Sequence, residues 1–249
     1  MASSRIVTPP PRAVSIITCT NRPACMSNLF HNYSRQLSIQ KELIVILNND
    51  KMKLSKYQEF ARKYANVRIY QLPQRISLGK CLNFAVQKAS YDYVAKFDDD
   101  DYYAPYYLVD SLQEMYKTQA DIVGKRAHFM YLEGPKSLLL RYYNQERQYT
   151  SMVQGATLIV RRQVFDQVTF SNRNVRESIR FCLDCMAKGF KIFAGSRFNF
   201  AAIRSKNPKD HTWTISAKQL LSQKTILFRP NNFKALVTRH GKAKAATIL

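Results

Sequence analysis

The sequence predicts an α/β protein in which a mostly parallel, mixed sheet is flanked by helices on both faces. Short apolar runs rich in β-branched residues lie at 14–18, 43–47, 67–71 and 93–97. They alternate with segments whose apolar residues recur at helical spacing, at 26–36, 53–64 and 78–89. This alternation indicates right-handed βαβ units. In such sheets, ligands bind beyond the carboxyl ends of the strands.

The second half of the chain gives a more mixed pattern. It predicts helices at 105–116 and 178–188, the latter ended by Gly189. Strands are expected at 122–131, 155–160 and 191–194, with a helix beginning at 161–165. An aromatic, arginine-bearing segment covers 138–148, and a polar loop covers 204–210.

Composition limits the class of protein. The 249 residues are 46% hydrophobic, enough for one large domain with a full core. No apolar run reaches the roughly 18 residues that a transmembrane helix needs. Residues 1–12 lack the apolar centre of a signal peptide, and we expect a disordered arm there. From these absences we expect a cytoplasmic protein, with peripheral contact at a membrane left open.

The formal net charge of +22 favours an anionic partner, such as a phosphorylated substrate, an anionic polymer, an acidic membrane surface or nucleic acid. No acidic residue follows Asp210. We therefore expect residues 216–249 to form a basic tail, either solvated or used for docking. Five scattered cysteines indicate reduced thiols. Cys182 and Cys185 form a lone C-x-x-C inside a helical pattern, which packing explains better than a zinc or redox site.

Four consecutive aspartates follow the fourth predicted strand, at 98–101. Their mutual repulsion calls for a compensating cation, and carboxylate oxygens are the ligands that hard divalent cations prefer. A metal ion there would neutralise a leaving diphosphate. The alternative is a solvated acidic loop. Because the chain has 17 acidic residues against 39 basic ones, four acids grouped behind a buried strand favour the metal site.

Several motifs in order resemble the inverting family 2 glycosyltransferases of the GT-A fold. The segment YVAKFDDDDYYAP at 93–105 is similar to the D-x-D region of that family, and VSIITCTNR at 14–22 and ELIVILNND at 42–50 resemble its first two strands. LGKCLN at 78–83 resembles the helix before the D-x-D. The central region of the family is matched by Gly155, Arg161, Arg162 and Phe165, and its acceptor-side helix resembles residues 177–189. The resemblance covers about residues 13–215, with the sugar-donor half at 13–104 and the acceptor half at 105–215.

The resemblance implies roles for individual residues at the sugar-donor site. Asp100 would be the principal ligand of Mn²⁺ or Mg²⁺, supported by Asp101, and Asp98 would contact the metal or the ribose. Asp99 would also belong to the nucleotide-sugar site. The nucleotide pocket would further be lined by Thr18, Thr20, Arg22, Lys80 and Asn83. Asn48 stands where the family often has an acid that pairs with uracil. An amide can also hydrogen-bond the edge of a base, so a uridine donor remains the best expectation.

The catalytic base departs from the family pattern. The acceptor-side helix of the family usually opens with Glu-Asp, whereas this chain has Glu177 followed by Ser178. An inverting transfer needs a base for the acceptor proton. Glu177 is the first candidate and Asp184, nearly two turns later, the second. Glu177 as a simple helix cap, or a protein that binds without turnover, are the alternatives.

The region after 203 supplies further candidates. The resemblance places a histidine such as His211 on the metal or the donor phosphates, and imidazole suits either role. Arg204, Lys206 and Lys209 would close over the diphosphate, or simply be solvated. Trp213 would stack on a sugar or anchor the loop.

The sequence therefore predicts a metal-dependent, inverting transfer from a nucleotide sugar, with a cell-envelope polymer, a lipid-linked sugar or a protein as acceptor. Two other classes of protein are the alternatives. A nucleotidyltransferase should carry a glycine-rich loop after the first strand, and residues 19–26 contain no glycine. A nucleic-acid binder should not place four aspartates at its ligand edge, and its affinity would fall steeply with salt.

Overall fold

The computed structural model describes residues 13–37, 39–206, 220 and 225–239. Within them, thirteen strands form two sheets, of eight and five strands. The strands are β1 (Ala13–Thr20), β2 (Gln40–Leu47), β3 (Val67–Gln71), β4 (Tyr93–Lys96), β5 (Tyr102–Tyr103), β6 (Ile122–Gly124), β7 (His128–Leu132), β8 (Ser137–Arg141), β9 (Gln148–Tyr149), β10 (Ile159–Arg161), β11 (Ile192–Ala194), β12 (Phe200–Arg204) and β13 (Thr225–Phe228). The helices are α1 (Met26–Ser34), α2 (Leu54–Ala61), α3 (Leu78–Gln87), α4 (Tyr107–Thr118), α5 (Glu177–Ala187) and α6 (Phe233–Val237).

The large sheet has the strand order β3-β2-β1-β4-β10-β6-β11-β9. Its first four strands are parallel, as the sequence predicts. β10 runs antiparallel to both β4 and β6, and β11 is again parallel to β6. The sheet is therefore mixed, and the expected fold class is confirmed.

Both faces of the large sheet are covered, because neighbouring strand residues point to opposite sides. Leu43, Val45 and Leu47 of β2 pack in the same core as α1, α2 and α4. Ile44 and Ile46 pack in a second core with α3 and α5. This two-sided burial explains why residues 43–47 of β2 are all apolar.

The second sheet was not predicted. Its order is β13-β8-β7-β12-β5, and β7 pairs with β8 as an antiparallel hairpin. The single strand expected at 122–131 is wrong, because β6 ends at Gly124 in the large sheet and β7 begins at His128 in the small one. Part of the segment at 138–148 is strand β8.

Two other expected elements differ in detail. Residues Gly155–Thr157 form a 3-10 turn rather than the start of a strand, because the Thr157 hydroxyl and main-chain N–H both bond back to the Gln154 carbonyl. Residues Arg162–Asp166 are a second 3-10 turn instead of the start of an α-helix. The end of α5 is as expected, with Gly189 at a φ of +83°, where a left-handed conformation favours glycine.

The boundary expected at 215 does not end the fold. β13 pairs with β8, and α6 buries Val237 completely in a third core with Phe129 and Leu140. The expected tail thus contributes a strand and a helix, and its Phe228, Phe233 and Leu236 pack against this third core. No helix in the described part of the chain has both the length and the apolar character to cross a membrane.

Candidate active site

Polar side chains at the ends of two adjacent parallel strands, β1 and β4, meet at the carboxyl edge of the large sheet. The Arg22 guanidinium, just after β1, pairs with the carboxylates of Asp99 and Asp100, the latter at 2.7 Å. The Thr20 hydroxyl donates to Asp99 as well. Burial raises the pKa of Asp99 to about 6, although the Arg22 charge acts in the opposite direction. The expected grouping of Thr20, Arg22 and the aspartates is therefore present.

The four aspartates alternate between solvent and the protein interior. The side chains of Asp98 and Asp100 are 40% and 25% exposed, whereas Asp99 and Asp101 are nearly buried. Asp101 accepts a hydrogen bond from the Ile203 main-chain N–H at 2.9 Å, so it ties the aspartate loop to β12. Burial raises its pKa well above the usual range. Asp98 and Asp100 are thus the two carboxylates that a ligand can reach.

A row of three amide side chains on α1 and just past its end holds the aspartate loop, and the sequence analysis missed it. The amide row consists of Asn28, Asn32 and Gln36. Asn28 and Asn32 both donate to the Asp101 carbonyl, at 2.9 and 2.8 Å, and Asn28 also donates to that of Asp99. Gln36 donates to the Ala104 carbonyl at 3.1 Å. The available signal was amides at a spacing of four residues on a helix.

Lys96 connects the aspartates to the first residue of α5. It is buried, and its ammonium group pairs with Asp98. Burial acts to lower its pKa, but the charges of Asp98, Glu177 and Asp101 raise the pKa overall. Glu177 therefore lies within electrostatic range of Lys96 at the same site.

The two candidates for the catalytic base have different surroundings. Glu177 is 7% exposed, and one of its oxygens accepts the Ser178 hydroxyl at 2.8 Å. Asp184 instead forms a surface ion pair with Arg180, four residues earlier, at 2.8 Å. That partner occupies Asp184 on the outer side of α5. Glu177 thus lies within electrostatic range of Lys96, whereas Asp184 is paired on the helix surface.

The uncharged residues expected in the nucleotide pocket have three different surroundings. Thr18 is buried, and its hydroxyl has no hydrogen-bond partner among the described residues. Asn48, at the end of β2, donates its amide to the Pro73 carbonyl at 2.9 Å. Asn83, expected in the nucleotide pocket, instead uses both polar atoms on the main chain of Phe170, and so fixes α3 against the segment after β10.

Of the basic residues expected to contact the nucleotide sugar, those that the structure describes are partly or fully exposed. Lys80 is exposed on the first turn of α3. Burial lowers the pKa of Arg204, and the Asp100 charge acts against this, so the two groups lie within electrostatic range of each other. Lys206 is exposed. Lys209, His211 and Trp213 lie outside the described residues.

The five cysteines, all in the described part of the chain, are free thiols. Cys182 and Cys185 are buried with Phe181 in the core that α5 shares with the large sheet. Burial raises their pKa values to about 11 and about 12. They serve as packing residues, as expected.

Comparison with known proteins agrees with this geometry. The family model described as Glycosyl transferase family 2 matches residues 15–169, more than half of the chain. The chain belongs to this family. The match spans Arg22, the amide row, the four aspartates and Gly155.

Solved structures share the fold of this family 2 chain. S. aureus TarS 1-349 has a TM-score of 0.60 at 16% identity, covering 77% of this chain and 60% of that one. TarS 1-349 in complex with UDP-GlcNAc gives 0.64 at 15% identity, covering 82% and 62%. The chain therefore spans about three fifths of these TarS chains. No curated protein matches it. These neighbours are GT-A glycosyltransferases, so the expected GT-A fold is confirmed.

Proposed function

We propose that this chain transfers a sugar from a uridine diphosphate sugar to an acceptor hydroxyl, with inversion at the anomeric carbon. The observation that carries the proposal is the pair of accessible carboxylates, Asp98 and Asp100, beside Arg22 at the carboxyl edge of a family 2 sheet. The TarS structures bound to UDP-GlcNAc and to UDP support a uridine donor.

Asp98 and Asp100 would hold a divalent cation, Mn²⁺ or Mg²⁺. Their hard oxygens suit such a cation, and both are partly open to solvent. No three His, Cys, Asp or Glu side chains converge as a metal cage among the residues that the structure describes. Two protein carboxylates leave coordination positions for diphosphate oxygens, which fits a metal bound together with its substrate. When bound, the cation would neutralise charge on the leaving diphosphate.

Arg22 and Arg204 would contact the diphosphate. Arg22 already pairs with Asp99 and Asp100, and Arg204 lies within electrostatic range of Asp100. A guanidinium binds phosphate oxygens through two parallel N–H groups. Thr18 and Thr20 would line the nucleotide pocket at the end of β1, and Asn48 would stand near the base. Lys80, at the rim, would approach the base or the diphosphate.

Glu177 would act as the catalytic base. A base takes the proton from the acceptor hydroxyl while its oxygen attacks the anomeric carbon. The Ser178 hydroxyl holds one Glu177 oxygen, which leaves the other for the acceptor. The buried Lys96 ammonium lies within electrostatic range of this carboxylate. Serine at 178 thus has a positioning role where the family usually has an aspartate.

The acceptor is proposed by class. The net charge of +22 favours an anionic or membrane-proximal acceptor, such as a cell-envelope polymer or a lipid-linked sugar, over a neutral one.

Release of UDP from a panel of UDP-sugars tests the proposal. We expect turnover with Mn²⁺ and none with a chelator. Glu177→Gln should lower kcat about 100- to 10,000-fold, as loss of a general base does. Asp184→Asn, the matched carboxylate on the same helix, should stay close to wild type. Metal-independent turnover, or a larger loss for Asp184→Asn than for Glu177→Gln, would contradict the assignment.

A further inference from the structure

Helix α5 carries an apolar ridge on its solvent side. Ile179, Leu183 and Met186 follow one another at spacings of four and three residues, and are 39%, 46% and 44% exposed. On the side of the helix that packs against the sheet, Phe181 and Cys182 are fully buried. A helix that is apolar on both sides is normally covered on both. We therefore expect the ridge to be covered by an apolar medium or by a binding partner.

The apolar surface continues past the end of the helix. Met186 also lines a groove of about 550 Å³ together with Phe190, Ile192 and Tyr149. Tyr149, on the edge strand β9, is 56% exposed. Ridge and groove thus form one extended apolar surface, larger than a single exposed side chain would explain.

The rim of this surface is cationic. Between residues 173 and 191, only two acidic side chains occur, the buried Glu177 and Asp184, which pairs with Arg180. The exposed cations in the same stretch are Arg173, Arg176, Arg180, Lys188 and Lys191. An occupant must therefore supply both an apolar phase and negative charge.

We propose that the α5 ridge docks on the surface of an anionic lipid bilayer. Apolar side chains enter the boundary between headgroups and acyl chains, while flanking cations bind anionic headgroups. A second copy of the chain would bring the same cations face to face. Residues 1–12 and 240–249 are basic and contain no acidic residue that could complement the rim.

Docking through α5 has one consequence that rests on the proposed function. The same helix begins at Glu177, so a bilayer against its outer side lies next to the acceptor half of the site. The acceptor class that this geometry fits is a sugar attached to a lipid headgroup. Docking itself is independent of catalysis.

Co-sedimentation of the full chain with vesicles tests the docking. Vesicles of phosphatidylglycerol and phosphatidylcholine are compared with phosphatidylcholine alone, at physiological salt. We expect Ile179→Ser/Leu183→Ser/Met186→Ser to lower partitioning on anionic vesicles about tenfold or more, since binding scales with buried apolar area. Ile226→Ser/Leu227→Ser, with 40% and 45% exposure on β13, is the matched control and should bind like wild type.

A charge-matched pair covers the case in which the triple variant does not fold. Arg173→Gln/Lys188→Gln should lose roughly fivefold per cation on anionic vesicles. Lys53→Gln/Lys56→Gln, the same charge change on exposed residues at α2, should lose far less. Equal losses in both pairs, or no sedimentation with anionic vesicles, would overturn the proposal. So would a wild-type dimer that the ridge variant converts to monomer.

Discussion

Replacing Asn32 by alanine tests whether the amide row fixes the aspartate loop. The Asn32 side chain is 1% exposed; it donates to the Asp101 carbonyl and accepts the Tyr103 main-chain N–H. The Asp101 carbonyl keeps its hydrogen bond from Asn28, but the main-chain N–H of the fully buried Tyr103 loses its acceptor. An orphaned buried group costs about 1–3 kcal/mol and the second lost bond about 1 kcal/mol, so we expect a loss of about 2–4 kcal/mol.

Thermal unfolding followed by circular dichroism measures this loss. For a chain of this size, 2–4 kcal/mol corresponds to a fall in Tm of roughly 4–16 °C. Asn28→Ala is the matched control, because Asn28 is only half-buried and water replaces its bonds, so its cost should stay near 1 kcal/mol. A Tm for Asn32→Ala within 2 °C of wild type, or an equal cost for Asn28→Ala, would refute the reasoning.

Two further predictions concern packing and pH. In Gly155→Ala the new Cβ would lie 2.7 Å from the Ser178 Cβ, so we expect about 1–3 kcal/mol of destabilisation and reduced turnover through Glu177, with stability largely restored by adding Ser178→Gly. Burial, with the Arg141 charge, lowers the pKa of His128 to about 3. The unfolded chain, with a pKa of about 6.5, then takes up this proton first, and stability falls by about 2 kcal/mol from pH 7 to pH 5. Urea unfolding at both pH values should show a smaller fall for His128→Gln.

Each of these predictions can fail on its own. An unrestored Tm in the Gly155→Ala/Ser178→Gly double variant would mean that steric conflict with Ser178 is not the cause. An equal pH dependence in wild type and His128→Gln would mean that His128 titrates alike in the folded and unfolded chains.

The first half of the fold could be predicted because its strands are buried on both faces. Residues 43–47 of β2 form an unbroken apolar run, and the helices between the strands are amphipathic. The small sheet could not be predicted in the same way. The apolar residues of β6 and β7 are only a few positions apart in sequence, and periodicity does not tell which sheet a strand joins.

The site shows the same limit. The residue type of the aspartates and their position after a strand predict a ligand site. Which of them face solvent depends on partners far away in sequence, such as Ile203 for Asp101. Polar residues on an amphipathic helix usually face water, so the four-residue spacing of the amides did not show that Asn32 is buried. The resemblance assigns Asn83 to the nucleotide pocket, whereas its partner Phe170 lies 87 residues away in the sequence.

Calorimetric titration of UDP, with and without Mn²⁺, tests the central claim most directly. We predict that wild type binds UDP far more tightly with Mn²⁺, and that Asp100→Asn loses this metal-dependent gain while keeping the wild-type Tm. Asp184→Asn, a carboxylate outside the site, should titrate like wild type. Metal-dependent binding that survives in Asp100→Asn, or no UDP binding in any condition, would contradict a sugar-donor site at this edge of the sheet.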